Sequence, residues 1–445
     1  MSDRVIRFGG SSIANTRSII NLKTYLEQSV QRTFIVISAV PELLSLVEDT
    51  ISGIFSVSLQ PDELEKRIIS FFRESTCSQP TRHYLELSTQ LVNLLKGISL
   101  IGDYSPALYD QVVSFSEKLT AEIFLWQWEA SGGKAKLFLP ENMALKVTSD
   151  YGNATYLSVD ENTITLNERE VAIVPGSFGI DKFGKIARTG KTAADYTAAA
   201  LTAFLGAEKL ELWALDDQFR KADPELVENP PVIERLTYAE ASELAYFEHY
   251  SFHPRTVEPL EDKHIPIYVL NPETGHGRVE TVINTEAFVD EKIVKSVACT
   301  DDISLLKLDG PGVGLAPGIL AKVTSRLNDS GINIKSVITS QTSINLILGR
   351  SSADRSLKLV KKLGYTSVQE IKLIKDVSLI GIIGHGMQQN YGISARIFNA
   401  VAENRINVIL SGSGASDLVS YLIVGSSYKA KSVRVIYNAF FKSEK

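Results

Sequence analysis

Cysteine is almost missing from this chain: Cys77 and Cys299 are the only two among 445 residues. Neither sits in a CxxC or beside histidines at metal-ligand spacing, so a disulfide framework is excluded and a zinc site is unsupported. Two thiols kept reduced are the expectation. Long apolar runs are missing as well. No stretch approaches the ~18 apolar residues of a spanning helix, and no basic segment followed by an apolar run opens the sequence. The expected location is cytoplasmic, with no membrane partner. Nor is there an excess of positive charge: 46 Lys and Arg stand against 52 Asp and Glu, a net charge of −6. Nucleic acid and anionic lipid need clustered basic excess, so a small molecule is the expected partner.

What is present suggests several domains, because a chain of this length exceeds one compact core. Short β-branched or aromatic runs recur with longer amphipathic segments between them: RVIRF (4–8), TFIVISA (33–39), AKLFL (135–139), VAIVPG (171–176), KLELWAL (209–215) and IPIYVL (265–270). Strands separated by helical stretches need crossovers, which predicts an α/β domain with a mainly parallel sheet sandwiched by helices over residues 1–288. Ligands in such sheets bind beyond the carboxyl ends of the strands. The segments GGSS (9–12), PGSFG (175–179) and RTGKTAADYT (188–197) follow strands and are expected to converge there. RFGGSSIAN (7–15) reads as a phosphate cradle, since glycine lets backbone N–H groups approach and a helix start is electropositive. GKT (190–192) does not make a Walker motif, because position 185 is lysine and Gly184 is one place out of register.

From about residue 303 the pattern becomes strand, glycine loop, helix, strand, strand, helix, and then repeats. GILAKVTSRLNDSGINI (318–334) falls on GISARIFNAVAENRINV (392–408) at a shift of 74 residues, with Gly318/Gly392, Ile332/Ile406 and Asn333/Asn407 matched. A fixed internal offset marks a duplicated module. The expected boundaries are 303–374 and 375–445, with 289–302 as the connection.

FGGSS (8–12), VVSFSEKL (112–119), TSDYGNA (148–154), DYTAA (195–199), LTYAEASELAYF (236–247), HPRTVEP (253–259) and the tandem modules together resemble the aspartokinases of the amino-acid-kinase superfamily over nearly the whole chain. The resemblance implies an amino-acid-kinase-like α/β fold followed by two α+β, ferredoxin-like ACT modules. It also implies transfer of a phosphoryl group from ATP, with Mg2+, to the β-carboxylate of L-aspartate in amino-acid biosynthesis. An amino-acid effector and a homodimer formed through the ACT-like modules follow from the same likeness.

The resemblance assigns residues as well. Arg7, where the family has lysine, and Asp195 fall in the catalytic centre. Ser38, Glu117 and Lys191 fall on the substrate, Glu117 toward its amino group and Lys191 where the family's substrate-binding arginine lies. Gly9, Gly10, Ser11, Gly176 and Gly179 line the nucleotide, and Arg220 and Lys221 stand in its rewritten loop WALDDQFRKADPE (213–225). Asn333 and Asn407 are the effector-site candidates, and no protein metal site is expected. Phosphoryl transfer depends on positioned cations. Against the family pattern Leu215 replaces an aspartate, Glu225 an arginine and Tyr250 a lysine, while Lys182, Lys185 and Arg188 are bases close enough in sequence to take over. His253 reads as a packing or turn residue, and Trp213 and Tyr250 as core or pocket wall rather than an adenine stack. Three functions stay open: an aspartokinase, a homoserine kinase with Asp195 as proton acceptor, and a silent ACT-type amino-acid sensor.

Overall fold

The structure, a computed structural model, describes residues 3–9, 12–13, 15–55, 61–191, 193–213, 219–247, 252–274, 277–287, 293–314, 317–413 and 416–442. The chain divides into two compact units. The first comprises residues 1–219, 234–245 and 251–286, and the second comprises 220–233, 246–250 and 287–445.

An eight-stranded sheet organises the first unit, in the order Arg235–Thr237, Val279–Asn284, Ile267–Leu270, Leu210–Trp213, Arg4–Phe8, Thr33–Ile37, Val171–Pro175, Ala135–Leu137. All neighbours run parallel except Ile267–Leu270 against Val279–Asn284. The six strands expected from the sequence are all in it. TFIVI at 33–37 is buried along its whole length, as a central parallel strand covered on both faces should be. Helix Thr16–Glu27 starts where the Asn15 side chain accepts from the Arg17 and Ser18 amides. Helix Pro106–Ala130 is set by a Ser105 cap and Pro106 in its first turn, and residues 112–124 of it are buried on all sides. The core of this unit is built from such strands and helices, with Phe8, Ile35, Ile37, Leu119 and Phe124 inside it. A second sheet orders Tyr156–Ser158, Lys146–Val147, Phe178–Ile180 and Ile186–Arg188.

The second unit contains two interleaved modules. Ser304–Asp309, Ile334–Thr339, Ser343–Leu348 and Glu370–Ile374 make one antiparallel sheet under helices Ile319–Asn328 and Ala353–Lys361. Val377–Gly384, Val408–Ser413 and Val419–Gly425 make the other, under Ile393–Glu403 and Lys429–Phe441, and its fourth strand is Val294–Thr300. The sequence repeat is exact in backbone terms at the helix entries, where Gly318 and Gly392 both cap with φ of +87°, a left-handed conformation that suits glycine.

Two boundary expectations are corrected. The stretch 289–302 is not simply a connection, because its residues Val294–Thr300 form a fully buried strand. Residues 220–233 leave the α/β unit for the second one. There Ala222 bridges Val297, the Lys221 carbonyl accepts from the Val297 amide at 3.0 Å, and Ala222 and Val227 enter the core of the second module.

Candidate active site

Strand Arg4–Phe8 carries Arg7 between Val36 and Leu212 of its neighbours. Its Nε lies 2.7 Å from Asp195 Oδ1, and both side chains are buried. Asp195 stands in the first turn of helix Ala194–Phe204, where the helix dipole favours an anion. Its other carboxylate oxygen accepts from the His253 amide at 3.3 Å. No side chain caps this helix at Ala193, and a helix start attracts anions. The helix start can come this close because Gly176 faces it: a Cβ there would lie 2.7 Å from Ala194 Cβ.

Around Glu117 the interior is polar. The carboxyl group is pushed up to about 7, first by burial, against the opposing pull of Arg188, the Ser177 hydroxyl, the Ala39 amide and Arg7. Glu117 Oε2, Ser38 Oγ, Arg188 Nε and Arg188 Nη2 are all buried without a hydrogen-bond partner among the described residues. Unsatisfied buried polar atoms are costly and few in native structures. Four of them, contributed by three segments around Glu117, make this the part of the interior best suited to a polar ligand. Ser177 is also held at φ +67°, a conformation that is uncommon outside glycine and often found at functional sites.

Arg188, at the end of strand Ile186–Arg188, lines a cavity of about 560 Å³ together with Glu48, Tyr109, Asp110, Tyr151 and Lys191. Asp110 fixes the wall: its Oδ2 accepts from the Gly152 amide at 2.7 Å and from the Arg188 amide at 2.8 Å. Burial holds the Asp110 carboxyl above its ordinary range, against those two amides and the Arg188 charge. A cation and a carboxylate side by side in a recess suit the ammonium and carboxylate of an amino acid.

The sequence matches the amino acid kinase family over residues 4–271, and ACT domains over 298–356 and 380–440. The chain belongs to the amino acid kinase family. A bifunctional aspartokinase/homoserine dehydrogenase from Haemophilus influenzae is 25% identical, with 99% of this chain and 57% of that protein aligned. Aspartokinase 2, chloroplastic, from Arabidopsis thaliana is 28% identical, over 99% of this chain and 84% of that protein. The fold agrees with E. coli aspartokinase III, solved with aspartate and ADP, at a TM-score of 0.79 and 21% identity, over 99% of this chain and all of that one. The aspartokinase resemblance drawn from the motifs therefore stands, and so does the fold of a kinase domain followed by ACT domains. The chain spans little more than half the length of the bifunctional relative.

The sequence-derived residues do not all fall together. Arg7, Asp195, Glu117 and Ser38 come together at the carboxyl ends of the central strands. Gly9 belongs there for a packing reason, since a Cβ would lie 2.7 Å from both Cβ and Oγ of Ser38. Gly176 packs on Ala194, and Gly179 packs on the Leu145 carbonyl and Val147. Lys191 lines the cavity from an exposed turn. Gly10, Ser11, Leu215 and Tyr250 lie outside the described residues.

Arg220 and Lys221 fall in the second unit, as part of its backbone ladder. Arg220 Nη1 donates to the Pro230 carbonyl at 3.0 Å, and Lys221 Nζ lies over the Phe441 ring at 5.2 Å. Asn333 and Asn407 are exposed, each just before an edge strand of its sheet. In the second ACT domain a cavity of about 450 Å³ lies between loop 387–392, the helix that follows it, and Ser413, Ser416 and Ser420.

His253 is the expected packing residue. Burial and neighbouring Arg255 lower its pKa to about 4, its Nδ1 accepts from the Arg255 amide, and its ring stacks on Tyr196. Trp213 is core, fully buried with Nε1 donating to Glu211. Arg255 was not singled out by the sequence. It donates to the Ala154 carbonyl, Thr155 Oγ1 and the Tyr196 hydroxyl, tying HPRTVEP to TSDYGNA and DYTAA. No helix of the described residues is long and apolar enough to cross a membrane.

Proposed function

We propose that this chain transfers the γ-phosphoryl group of ATP to a small α-amino acid, with the β-carboxylate of L-aspartate as the acceptor the family suggests. The observation that carries this reading is the set of unpartnered buried polar atoms around Glu117, next to an Arg7–Asp195 ion pair at an uncapped helix start. The helix N–H groups and Arg7 suit phosphate oxygens, and the Glu117–Arg188 region suits an amino-acid head group. Mg2+ bound with the nucleotide would add charge neutralisation.

In this reading the protein contributes position and field. Arg7, fixed by Asp195 and by its place in the central strand, opposes charge that grows on the migrating phosphoryl group. Glu117 takes the acceptor's ammonium, and the buried walls exclude water from the transfer. A carboxylate acceptor needs no base; a hydroxyl acceptor such as that of homoserine would need one, and Asp195 is the carboxylate beside Arg7. Feedback by an amino acid at the ACT domains and assembly through them belong to the same proposal, supported by the second-domain cavity.

ADP release at fixed MgATP, measured with aspartate, homoserine and glutamate in turn, tests the reading. Release stimulated by one of these supports it. ATP binding with no amino-acid-dependent release from any of them refutes it, and leaves the sensor function.

A further inference from the structure

We propose that the Nε/Nη2 edge of Arg188 receives the α-carboxylate of the bound amino acid, replacing at position 188 the arginine clamp that the family motif puts at position 191. The inference rests on the amino-acid-kinase reading for the identity of the ligand, and on geometry for the residue.

Arg188 is 6% exposed, and its Nε and Nη2 have no hydrogen-bond acceptor among the described residues. These two nitrogens lie on one edge of the planar guanidinium and direct parallel N–H bonds outward, the pattern that binds a carboxylate through both oxygens. The remaining nitrogen, Nη1, is 3.6 Å from Glu48 Oε1, an ion pair too long for a hydrogen bond and located away from the open edge. The residue is held firmly, since its backbone amide donates to buried Asp110 at 2.8 Å.

The neighbourhood selects an α-amino acid over a simple carboxylic acid. Glu117, also buried and with Oε2 unpartnered, lies within electrostatic reach of Arg188. An α-amino acid carries ammonium and carboxylate on one carbon, so one head group can satisfy the open atoms of both side chains. Lys191 lines the same cavity from an exposed turn, and its ammonium lacks the planar fork. The family position thus supplies a diffuse charge, while the oriented, desolvated donor pair stands three residues earlier.

The test compares each acid with its α-amide: L-aspartate with L-isoasparagine, and L-homoserine with L-homoserine amide. Binding to the full-length protein is measured by calorimetry, and turnover separately. The wild-type chain should prefer an acid over its amide by roughly 100-fold or more, as sites built around a specific polar partner do. In Arg188→Gln and Arg188→Lys that ratio should collapse while the KM for ATP holds, a split that a purely structural role would not give. Lys191→Met should weaken acid and amide together and keep their ratio. If Arg188→Gln does not fold, Arg188→Lys keeps the charge and decides the matter.

Retention of the ratio in Arg188→Lys, or its loss in Lys191→Met, overturns the assignment, as does a wild-type chain that binds none of these acids. An acid that binds through Arg188 but is never phosphorylated upholds the assignment and refutes the kinase reading. Phosphorylation that ignores Arg188 does the reverse.

Discussion

Glu117 makes the amino-acid site depend on pH in a way that can be measured. The ammonium of the acceptor needs Glu117 as an anion, yet burial pushes this carboxyl up to about 7 in the free protein. At pH 6 about one molecule in ten is ionised there, and at pH 8 about nine in ten. Acceptor affinity should therefore fall about tenfold per pH unit below 7 and level off above it. Binding at pH 6 should expel close to one proton, detectable by calorimetry in buffers of different ionisation enthalpy. The stability of the free protein should follow the opposite trend. A carboxyl whose folded pKa is raised keeps its proton longer in the native state than in the unfolded one, so its contribution is full at low pH and is lost as pH rises from about 4.5 toward 7. Glu117→Gln should abolish the slope in acceptor affinity. A wild-type affinity that stays flat from pH 5.5 to 8.5, or a slope that persists in Glu117→Gln, would refute the reasoning.

Other consequences are testable in the same preparation. Asp195→Asn should lower kcat by roughly 10²–10³-fold and, by leaving Arg7 buried without its anion, destabilise the fold by about 3–5 kcal/mol; full activity would remove Asp195 from the centre. Gly176→Ala should cost about 1–3 kcal/mol, read from urea midpoints, because the new methyl group would press on Ala194. Gly97→Ala, inside helix Arg82–Ile101 with nothing within 4 Å of the added carbon, should instead stabilise by about 0.4–1 kcal/mol. Val297→Ala should cost roughly 1.5–3 kcal/mol. In hydrogen exchange it should loosen strands Val377–Gly384 and Val419–Gly425 more than Ser304–Asp309, since Val297 sits in the second module's sheet and core.

The main sheet was legible because its central strands are apolar runs long enough to have a pattern. Lys146–Val147, Phe178–Ile180 and Ile186–Arg188 were not, since strands of two or three residues show no periodicity. Val294–Thr300 was hidden for a different reason: Lys295 and Ser296 are buried in it, so a core strand reads as a polar connection. The same effect, reversed, concealed the site. Arg220 and Lys221 have the right charge for a nucleotide loop, but their backbone extends the second unit's ladder, a choice made by tertiary pairing with Val297. Arg188 reads as one base among several near GKTAAD. Only the fold reveals that its guanidinium is buried with Nε and Nη2 unpartnered, within electrostatic reach of Glu117, and that Asp110 holds its backbone.

The most direct test follows the phosphorus itself. Incubating the chain with γ-labelled MgATP and each candidate amino acid, then asking whether label moves from ATP to the amino acid, separates true transfer from ATP hydrolysis. The account predicts label on an α-amino acid of the aspartate type, abolished in Asp195→Asn. Label that appears only as free phosphate, or stays on ATP with every acceptor offered, would contradict it.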